Sequence, residues 1–419
     1  MTSRSDAEGA AARLHVIIIG GGIGGLCLAQ GLKRTGISFA VYERDRTADA
    51  RLQGYRLNLE PFGAVALHAC LPPNLWSLLT AAAGDAAERM GVYDECLRQL
   101  MLEDPRPHAR SPLEHTYALS RVALRRVLLT GLDPHLHFDK EFVRYEQSAN
   151  GHVTAHFADG SLATGNVLVG ADGVHSRVRR QLLPDARQIE TGGIGVGGKL
   201  PLGPAAEAWL PRGLLAGKSM ILPPRDFLFT AIFRDEYLMW AFVAHRATFP
   251  EGVDELRGRA LRDVIEPRMS GWHPALCRLV TDSDVDTIEL FRLNAAARVP
   301  RWTSTTVTLL GDAIHAMPPV GGLGGNVALC DARALRDALE TASRGEVPLV
   351  RALAAYEAEM LPRGFAAVAQ ARRYLQLAIS RSRLLRMLAR GFFRLCGAVP
   401  ALRRAIFEEP PAADTAKQT

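Results

Sequence analysis

The start of the chain alternates between apolar runs and glycine-rich breaks. Residues 14–19 are apolar and mostly β-branched, which is typical of a parallel strand buried on both faces. Residues 20–25 include five glycines, and after them Leu26, Ala29 and Leu32 recur at helical spacing until the Thr35-Gly36 pair. Residues 38–43 predict a second strand. The pattern therefore predicts one βαβ unit at the start of the chain.

The middle of the chain changes its period twice. A helical period covers residues 121–132, residues 153–162 alternate around an Asp159-Gly160 turn as a hairpin does, and residues 166–173 predict another buried strand that runs into a loop. Between residues 186 and 300, Pro and Gly separate aromatic, strand-like segments such as 227–233 and 237–243. We interpret this region as an inserted antiparallel sheet.

The strand-to-helix pattern returns near the end. Residues 307–312 predict a strand, a Pro/Gly loop follows, and a helix is predicted over residues 326–341. We therefore predict an α/β protein with a Rossmann-like, discontinuous nucleotide-binding domain, an inserted sheet domain and C-terminal helices. The predicted bounds are 13–75, 110–185 and 300–345 for the nucleotide-binding domain, 76–109 and 186–299 for the inserted domain, 346–408 for the helices and 409–419 for a disordered tail.

Composition excludes several classes of protein. With 48% hydrophobic and 22% charged residues the chain is neither disordered, collagen-like nor a multi-span membrane protein. The net charge of +6 is small for 419 residues, so we expect no nucleic-acid partner. No targeting segment is visible, which favours a cytoplasmic location. The six cysteines lack metal-ligand spacing, so we expect no metal.

The positive charge is concentrated near the C-terminus. Between Glu359 and Glu408 the sequence has no acidic residue and ten arginines. We interpret this segment as helices that cover the domain and leave an arginine face in water, while a dimer contact or a membrane surface stays open as a second interpretation. We expect a monomer or homodimer and no membrane association. The arginines are Arg363, Arg372, Arg373, Arg381, Arg383, Arg386, Arg390, Arg394, Arg403 and Arg404.

A glycine fingerprint carries the strongest chemical signal. Gly20, Gly22 and Gly25 stand in the order G-x-G-x-x-G between a strand and a helix, and Glu43 ends the next strand. In this arrangement the first glycine permits a tight turn, the second lets a pyrophosphate approach the backbone, and the third lets helix and strand pack closely. An acidic residue at the position of Glu43 accepts hydrogen bonds from an adenosine ribose. The motif predicts dinucleotide binding.

Three further motifs complete a resemblance. Residues 170–179 read GADGVHSRVR, residues 311–319 read GDAIHAMPP, and Gly324-Gly325-Asn326 follows them. In this order the motifs resemble the single-component FAD-dependent aromatic monooxygenases, which include p-hydroxybenzoate hydroxylase and the tetracycline-inactivating monooxygenases. The resemblance extends to about residue 375. It implies that FAD occupies the nucleotide-binding domain and that the inserted domain binds the substrate.

The resemblance also implies roles for individual residues. Asp312 would bind the ribityl chain of FAD, and the loop with Pro318, Pro319, Gly322 and Gly324 would present backbone N–H groups and a helix start to the flavin ring. We expect Arg179 to lie on the surface and to affect NAD(P)H use. The full set of implied cofactor residues is Gly20, Gly22, Ile23, Gly25, Glu43, Arg44, Arg51, Arg121, Asp172, Gly311, Asp312, Pro318, Gly324, Gly325 and Asn326.

In this family NADPH or NADH reduces the flavin, molecular oxygen forms a flavin C4a-hydroperoxide, and one oxygen atom passes to an aromatic or polyketide-like molecule, most often as a hydroxylation. Epoxidation, Baeyer-Villiger insertion and oxidative cyclisation use the same hydroperoxide and remain alternative reactions. A flavin dehydrogenase or oxidase and a non-catalytic binding protein remain alternative functions. Candidate substrate residues in the inserted sheet, of which alternation turns only half inward, are Phe227, Phe229, Phe233, Met239, Trp240, Phe242 and His245.

Overall fold

The computed structural model describes residues 14–48, 56–83, 89–103, 111–149, 151–233 and 236–407. Its strands are β1 (His15–Ile19), β2 (Ser38–Tyr42), β3 (Arg56–Leu59), β4 (Arg89–Tyr93), β5 (Gln99–Glu103), β6 (Tyr117–Ser120), β7 (Leu136–His137), β8 (Phe142–Gln147), β9 (Val153–Phe157), β10 (Leu162–Gly165), β11 (Val167–Gly170), β12 (Gln188–Ile189), β13 (Gly193–Pro201), β14 (Gly217–Ile221), β15 (Phe227–Phe233), β16 (Tyr237–His245), β17 (Asp284–Arg292), β18 (Ala295–Ala296) and β19 (Val307–Leu309).

The helices alternate with these strands. They are α1 (Ile23–Thr35), α2 (Pro61–Cys70), α3 (Pro73–Ala82), α4 (Arg121–Leu129), α5 (Arg177–Leu182), α6 (Pro204–Glu207), α7 (Arg212–Leu215), α8 (Gly258–Ile265), α9 (Pro274–Thr281), α10 (Asp312–His315), α11 (Leu323–Ser343), α12 (Leu349–Ala378), α13 (Arg383–Ala398) and α14 (Pro400–Phe407). Within the described ranges, none of them combines the length and apolar character that crossing a lipid bilayer requires.

The chain divides into two compact units. Unit 1 comprises Met1–Ala86, Ala109–Ile189 and Ala295–Ala371, and unit 2 comprises Ala87–His108, Glu190–Asn294 and Arg372–Thr419. Two features differ from the predicted bounds. Helix α3 belongs to unit 1, because Trp76 and Leu79 join the core of that unit. The C-terminal helices form no unit of their own, since α12 up to Ala371 belongs to unit 1 and the residues after it belong to unit 2.

The centre of unit 1 is a parallel sheet in the strand order β19-β11-β1-β2-β7. Strand β1 lies in the middle, and its residues Val16–Ile19 are at most 2% exposed, which explains the unbroken apolar run in the sequence. Helix α1 follows β1 and ends at Gly36, whose φ of 74° is the left-handed conformation that suits glycine. The predicted βαβ unit is confirmed.

Unit 2 contains a sheet of seven strands in the order β17-β13-β16-β15-β14-β4-β5. All of its pairs are antiparallel except β14 with β4, so the predicted inserted antiparallel sheet is present with one parallel pair. One face packs on α8 and α9 around the fully buried Trp240 and Phe242. The indole N–H of Trp240 donates to Ser283 Oγ at 2.7 Å, which satisfies its only polar group.

Only some of the apolar side chains of the C-terminal helices are buried, which differs from our interpretation that these helices cover the domain. Leu375 and Ile379 are buried, since they are 0% and 3% exposed. In α13, however, Leu384 and Leu388 are 62% and 58% exposed. The reason is local: α13 packs on β5 through another side, where Cys396 is fully buried.

Candidate functional site

The turn between β1 and α1 brings backbone segments into unusually close contact. Gly20 has a φ of +109°, and an ideal Cβ on it would lie 2.4 Å from the carbonyl oxygen of Ala171. A Cβ on Gly25 would lie 2.2 Å from the carbonyl oxygen of Gly20. Gly22, by contrast, faces open space, with no described atom within 4 Å of its Cβ position. Two glycines therefore close the turn, and the middle one leaves its outer side accessible.

Glu43 braces this turn from the end of β2. Its side chain is 3% exposed, and its Oε2 accepts a hydrogen bond of 2.7 Å from the N–H of Gly21. Its Oε1 accepts another from the N–H of Asp45 at 3.0 Å. The carboxylate thus fixes the backbone of the glycine turn, a positioning role that the ribose interpretation did not include.

An arginine that the sequence analysis did not name contacts the same turn. Arg125 is 9% exposed and donates to the carbonyl of Gly21 from α4. It stands one helical turn after Arg121, so the spacing of four residues was the available signal. Arg121 and Arg44 are exposed side chains. Arg51 lies outside the described residues.

The loop after β11 is organised by Asp172. Its Oδ2 accepts hydrogen bonds from the N–H groups of Arg177 at 2.7 Å and Val178 at 3.2 Å, which caps α5. Its Oδ1 is buried and has no hydrogen-bond partner within the described ranges. One carboxylate oxygen is therefore held by the fold, and the other has unused acceptor capacity.

The surface position expected for Arg179 is wrong. The residue is 8% exposed, and its guanidinium donates to the carbonyl of Ala313 at 2.7 Å and to that of Val174 at 2.8 Å. The guanidinium thus joins the loop after β11 to α10. Arg179 therefore has a structural role within unit 1, and its effect on NAD(P)H use stays a prediction.

A buried carboxylate organises the turn after β19. Asp331, on α11, accepts from the N–H of Gly311 at 2.9 Å and from His315 Nε2 at 2.5 Å through the same Oδ2 atom. Its Oδ1 accepts from Arg363 of α12 at 3.1 Å. Asp331 and His315 are both fully buried. The carboxylate therefore joins α10, α11 and α12 around one glycine, which has a φ of +61°.

The charges of this cluster shift the pKa of each member. Burial alone would raise the pKa of Asp331, but the opposite charges of His315 and Arg363 lower it below its ordinary value. Burial alone would lower the pKa of His315, but the charge of Asp331 and its hydrogen bond raise it above its ordinary value. Both shifts favour the ionic form of the pair.

Asp312 begins α10 and stands beside the start of α11. Its side chain is exposed, yet the surrounding protein displaces enough water to raise its pKa, against the lowering effect of the charges of His315 and Arg121. An ideal Cβ on Gly324 would lie 3.8 Å from Asp312 Oδ1. The network of Asp331 thus presents Asp312 as an accessible acceptor next to a helix N-terminus.

The loop before α11 is shaped by its close packing within unit 1. Asn326 is fully buried: its Oδ1 accepts from the N–H of Glu60 at 2.9 Å, and its Nδ2 donates to the carbonyl of Asn58 at 2.8 Å. A Cβ on Gly325 would lie 2.6 Å from Leu57 Cδ1. Asn326 and Gly325 therefore fix the start of α11 against β3, a structural role that the sequence motif did not reveal. Pro318 is buried and Pro319 is exposed.

The starts of α1 and α11 form a donor set suited to a dinucleotide. Each helix begins at a glycine, Gly22 or Gly322, without a side-chain cap, and no described atom lies within 4 Å of either Cβ position. The two helices pack on each other, with Gly24 against Ala328. Uncapped helix starts attract phosphates and other anionic groups. With Asp312 as an acceptor for hydroxyl groups, these residues fit FAD.

The seven candidate substrate residues of unit 2 lie on two different faces of the sheet. Trp240 and Phe242 belong to the apolar core around α8 and α9, so their burial is explained by packing. On the opposite face, Phe229, Phe233 and Met239 form a separate small cluster, and Phe233 stacks on Tyr237 with ring centroids 4.4 Å apart. Phe227 and His245 share the alternation of this second face and are partly exposed.

Comparison with known proteins agrees with this site. A family model described as a FAD binding domain matches residues 247–371, and one described as an NAD(P)-binding Rossmann-like domain matches residues 18–81. The FAD-dependent monooxygenase cctM of Talaromyces islandicus is 32% identical over 378 residues, which cover 85% of this chain and 90% of cctM. The chain belongs to the family of FAD-dependent monooxygenases.

Some relatives are considerably longer. The dual O-methyltransferase/FAD-dependent monooxygenase elcB of Phaeosphaeria nodorum is 30% identical, with 85% of this chain but 45% of elcB aligned. The similarly named CTB3 of Cercospora beticola is 33% identical, with 87% of this chain and 46% of CTB3 aligned. The chain thus spans about half the length of these two relatives.

Solved structures have the same fold. The crystal structure of a Photorhabdus luminescens protein, described as an FAD-containing monooxygenase, superposes with a TM-score of 0.81 at 35% identity and covers 87% of this chain and 98% of that one. Klebsiella pneumoniae HpxO in complex with FAD and uric acid superposes with a TM-score of 0.79, covering 92% of this chain and 93% of HpxO. At 24% identity the second likeness shows the fold alone.

Replacing Asp312 tests its assignment as a cofactor ligand. Asp312→Ala should lower the affinity for FAD about tenfold or more, because it removes a charged acceptor for the hydroxyl groups of FAD. The fold should be kept, since the side chain is exposed. The ratio of flavin to protein absorbance after gel filtration measures the loss. Asp185→Ala, at an exposed carboxylate in the same unit, should retain FAD; equal retention in both variants would remove the assignment.

The ion pair of His315 and Asp331 predicts a particular pH dependence of stability. Because the pKa of His315 is raised, the stability from the pair is present below the ordinary histidine value of 6.5 and is lost as pH rises through the raised pKa. His315→Gln should therefore be most destabilising near pH 6, by about 1–3 kcal/mol, with a deficit that shrinks at alkaline pH. Urea unfolding across this range measures it. His175→Gln, on the surface, should show no such trend; a pH-independent deficit at His315 would contradict the ionic pair.

Proposed function

We propose that this chain is an NADPH- or NADH-consuming monooxygenase. It inserts one oxygen atom from molecular oxygen into an aromatic or polyketide-like small molecule, with hydroxylation as the reaction. The observation that carries the proposal is the position of Asp312 beside the uncapped start of α11, within the same unit as the glycine turn. An FAD-dependent oxygenase needs residues that hold the cofactor and leave its flavin ring accessible to the reactants. This arrangement supports the proposal on both points.

Residues of this chain would bind and orient FAD from both ends. The glycine turn, braced by Glu43, would hold the pyrophosphate at the start of α1. Asp312 would accept hydrogen bonds from the ribityl hydroxyls, and the start of α11 would stabilise negative charge on the isoalloxazine ring. When bound, FAD supplies the redox chemistry between the nicotinamide and molecular oxygen. The protein contributes orientation, electrostatics and exclusion of water, so no acid-base triad is required.

The second face of the β15–β16 sheet is the surface that we assign to the substrate. Phe229, Phe233 and Met239 provide apolar and aromatic groups there, and Phe227 and His245 lie in the same alternation. Such a surface suits a planar, apolar molecule, for which stacking and burial of ring area are the main attractive interactions. Trp240 and Phe242 are left out because they belong to the core.

The names of the relatives favour hydroxylation as the reaction. Two dual relatives combine the monooxygenase with an O-methyltransferase, an enzyme that requires a hydroxyl group on its substrate. A urate hydroxylase of Klebsiella oxytoca is 29% identical to this chain, and a zeaxanthin epoxidase of Nicotiana plumbaginifolia is 27% identical. Hydroxylation of a phenolic molecule is therefore our proposal, and epoxidation is the second candidate because it has a named relative.

The deciding experiment follows the oxygen atom. The FAD-loaded protein should oxidise NADPH or NADH faster in the presence of one member of a panel of phenols, their O-methyl ethers and polyketide aromatics. In isotopically labelled oxygen gas, the product should be heavier by one labelled oxygen atom, as measured by mass spectrometry. A product that has lost hydrogen without gaining oxygen would identify a dehydrogenase or oxidase. Binding of FAD with no nicotinamide oxidation for any compound would count against an oxygenase.

A further inference from the structure

Helix α13 of unit 2 exposes a continuous apolar stripe. Leu384, Leu388 and Leu395 are four and seven residues apart, which places them on one side of the helix. They are 62%, 58% and 53% exposed. In most surface helices such a stripe faces the core of the protein. Here another side of α13 is docked, so these leucines stay exposed within the part of the chain that the structure describes.

The docked side of α13 is well anchored. An ideal Cβ on Gly397 would lie 2.3 Å from the carbonyl oxygen of Leu100, which shows how closely the helix packs on β5. Arg386 is 7% exposed and donates to the carbonyls of Ser380 at 2.7 Å and Pro223 at 3.3 Å. Arg390 bonds to Glu95. The stripe is therefore a fixed feature of unit 2 and not the face of a loosely attached helix.

A basic rim runs beside the stripe. Arg383 and Arg394 lie on α13 at a spacing that places them on one side of the helix, next to the apolar stripe. They line a crevice of about 520 Å³ together with Arg98 and Arg225. All four side chains belong to exposed residues, and none of them forms an ion pair within the part of the chain that the structure describes. The rim thus gathers four exposed guanidinium groups around one opening.

The apolar stripe and the basic rim together indicate which kind of partner α13 can bind. Leucine and phenylalanine side chains gain free energy by leaving water, and exposed arginines gain it from phosphate or carboxylate groups. A helix with an apolar stripe beside an arginine-rich side is typical of interfacial helices that lie on anionic membranes. A second copy of this chain fits less well, because a two-fold contact along α13 would place arginine rims together with no acidic residue on the helix.

We propose that α13 docks this protein on the surface of a membrane that contains anionic lipids. Leu384, Leu388 and Leu395 enter the boundary between headgroups and acyl chains, and Arg383, Arg394, Arg98 and Arg225 contact lipid phosphates and carboxylates. This replaces the interpretation of the segment as helices whose arginine face is merely solvated. The attachment is peripheral, and no helix crosses the bilayer in this arrangement.

Vesicle sedimentation tests the proposal with the FAD-loaded full chain. The probes are vesicles of phosphatidylcholine alone and of phosphatidylcholine with phosphatidylserine. Binding should be at least about tenfold stronger to the anionic vesicles and should weaken as salt is added. The double variant Leu388→Glu/Leu395→Glu should lose binding to both. Arg383→Gln/Arg394→Gln should weaken anionic binding about fivefold for each arginine removed, and should change binding to neutral vesicles little.

Matched substitutions elsewhere serve as controls. Leu162→Glu, at a leucine 61% exposed on β10, and Arg259→Gln, at an exposed arginine on α8, should bind vesicles like the unmodified protein. Flavin content reports that every variant is folded. Absence of binding to anionic vesicles, or equal losses in the control variants, would overturn the proposal. So would a stable dimer, seen by analytical ultracentrifugation, that Leu388→Glu/Leu395→Glu dissociates while vesicles bind neither form.

Discussion

The site of unit 1 depends on one buried carboxylate. Asp331 of α11 accepts hydrogen bonds from the backbone of Gly311, from His315 of α10 and from Arg363 of α12. Removing it would leave His315 without its ionic partner in a region where an uncompensated charge is costly, and would leave Arg363 paired with Glu359 alone. The carboxylate touches no solvent and needs no contact with a ligand. Its effect is to fix the turn on which Asp312 stands and the helix start beside it.

A second buried carboxylate fixes the backbone of a glycine turn at the other end of the proposed dinucleotide site. Glu43 accepts a hydrogen bond from the N–H of Gly21. This bond stabilises the turn in which Gly20 and Gly25 allow close contact between backbone segments. Both carboxylates act through a glycine and a helix start. On our proposal FAD would be bound largely by backbone geometry, which would let a family keep one cofactor while the substrate surface changes. In unit 2, by contrast, the candidate contacts with the substrate are side chains on one face of the sheet.

Much of the fold was predictable, because its signals are local. The apolar run of β1, the glycine turn, the helix stop at Gly36 and the Asp159-Gly160 hairpin each depend on neighbouring residues. Long-range partners were not predictable. Arg179 reads as a surface cation until the fold brings the carbonyl of Ala313 to it, and Asn326 reads as a ligand until β3 packs against it. The C-terminal segment likewise reads as helices that cover the domain, but the sequence does not show which side of α13 packs on β5.

On our proposal this chain binds FAD through both ends of the cofactor. Equilibrium titration of the flavin-free protein with FAD and with FMN tests this most directly. FMN lacks the pyrophosphate-linked adenosine that the turn at Gly22 and the start of α1 would hold. FAD should bind at least about a hundredfold more tightly than FMN, a difference of about 2.7 kcal/mol. Equal affinity for the two flavins, or no binding of FAD, would contradict it.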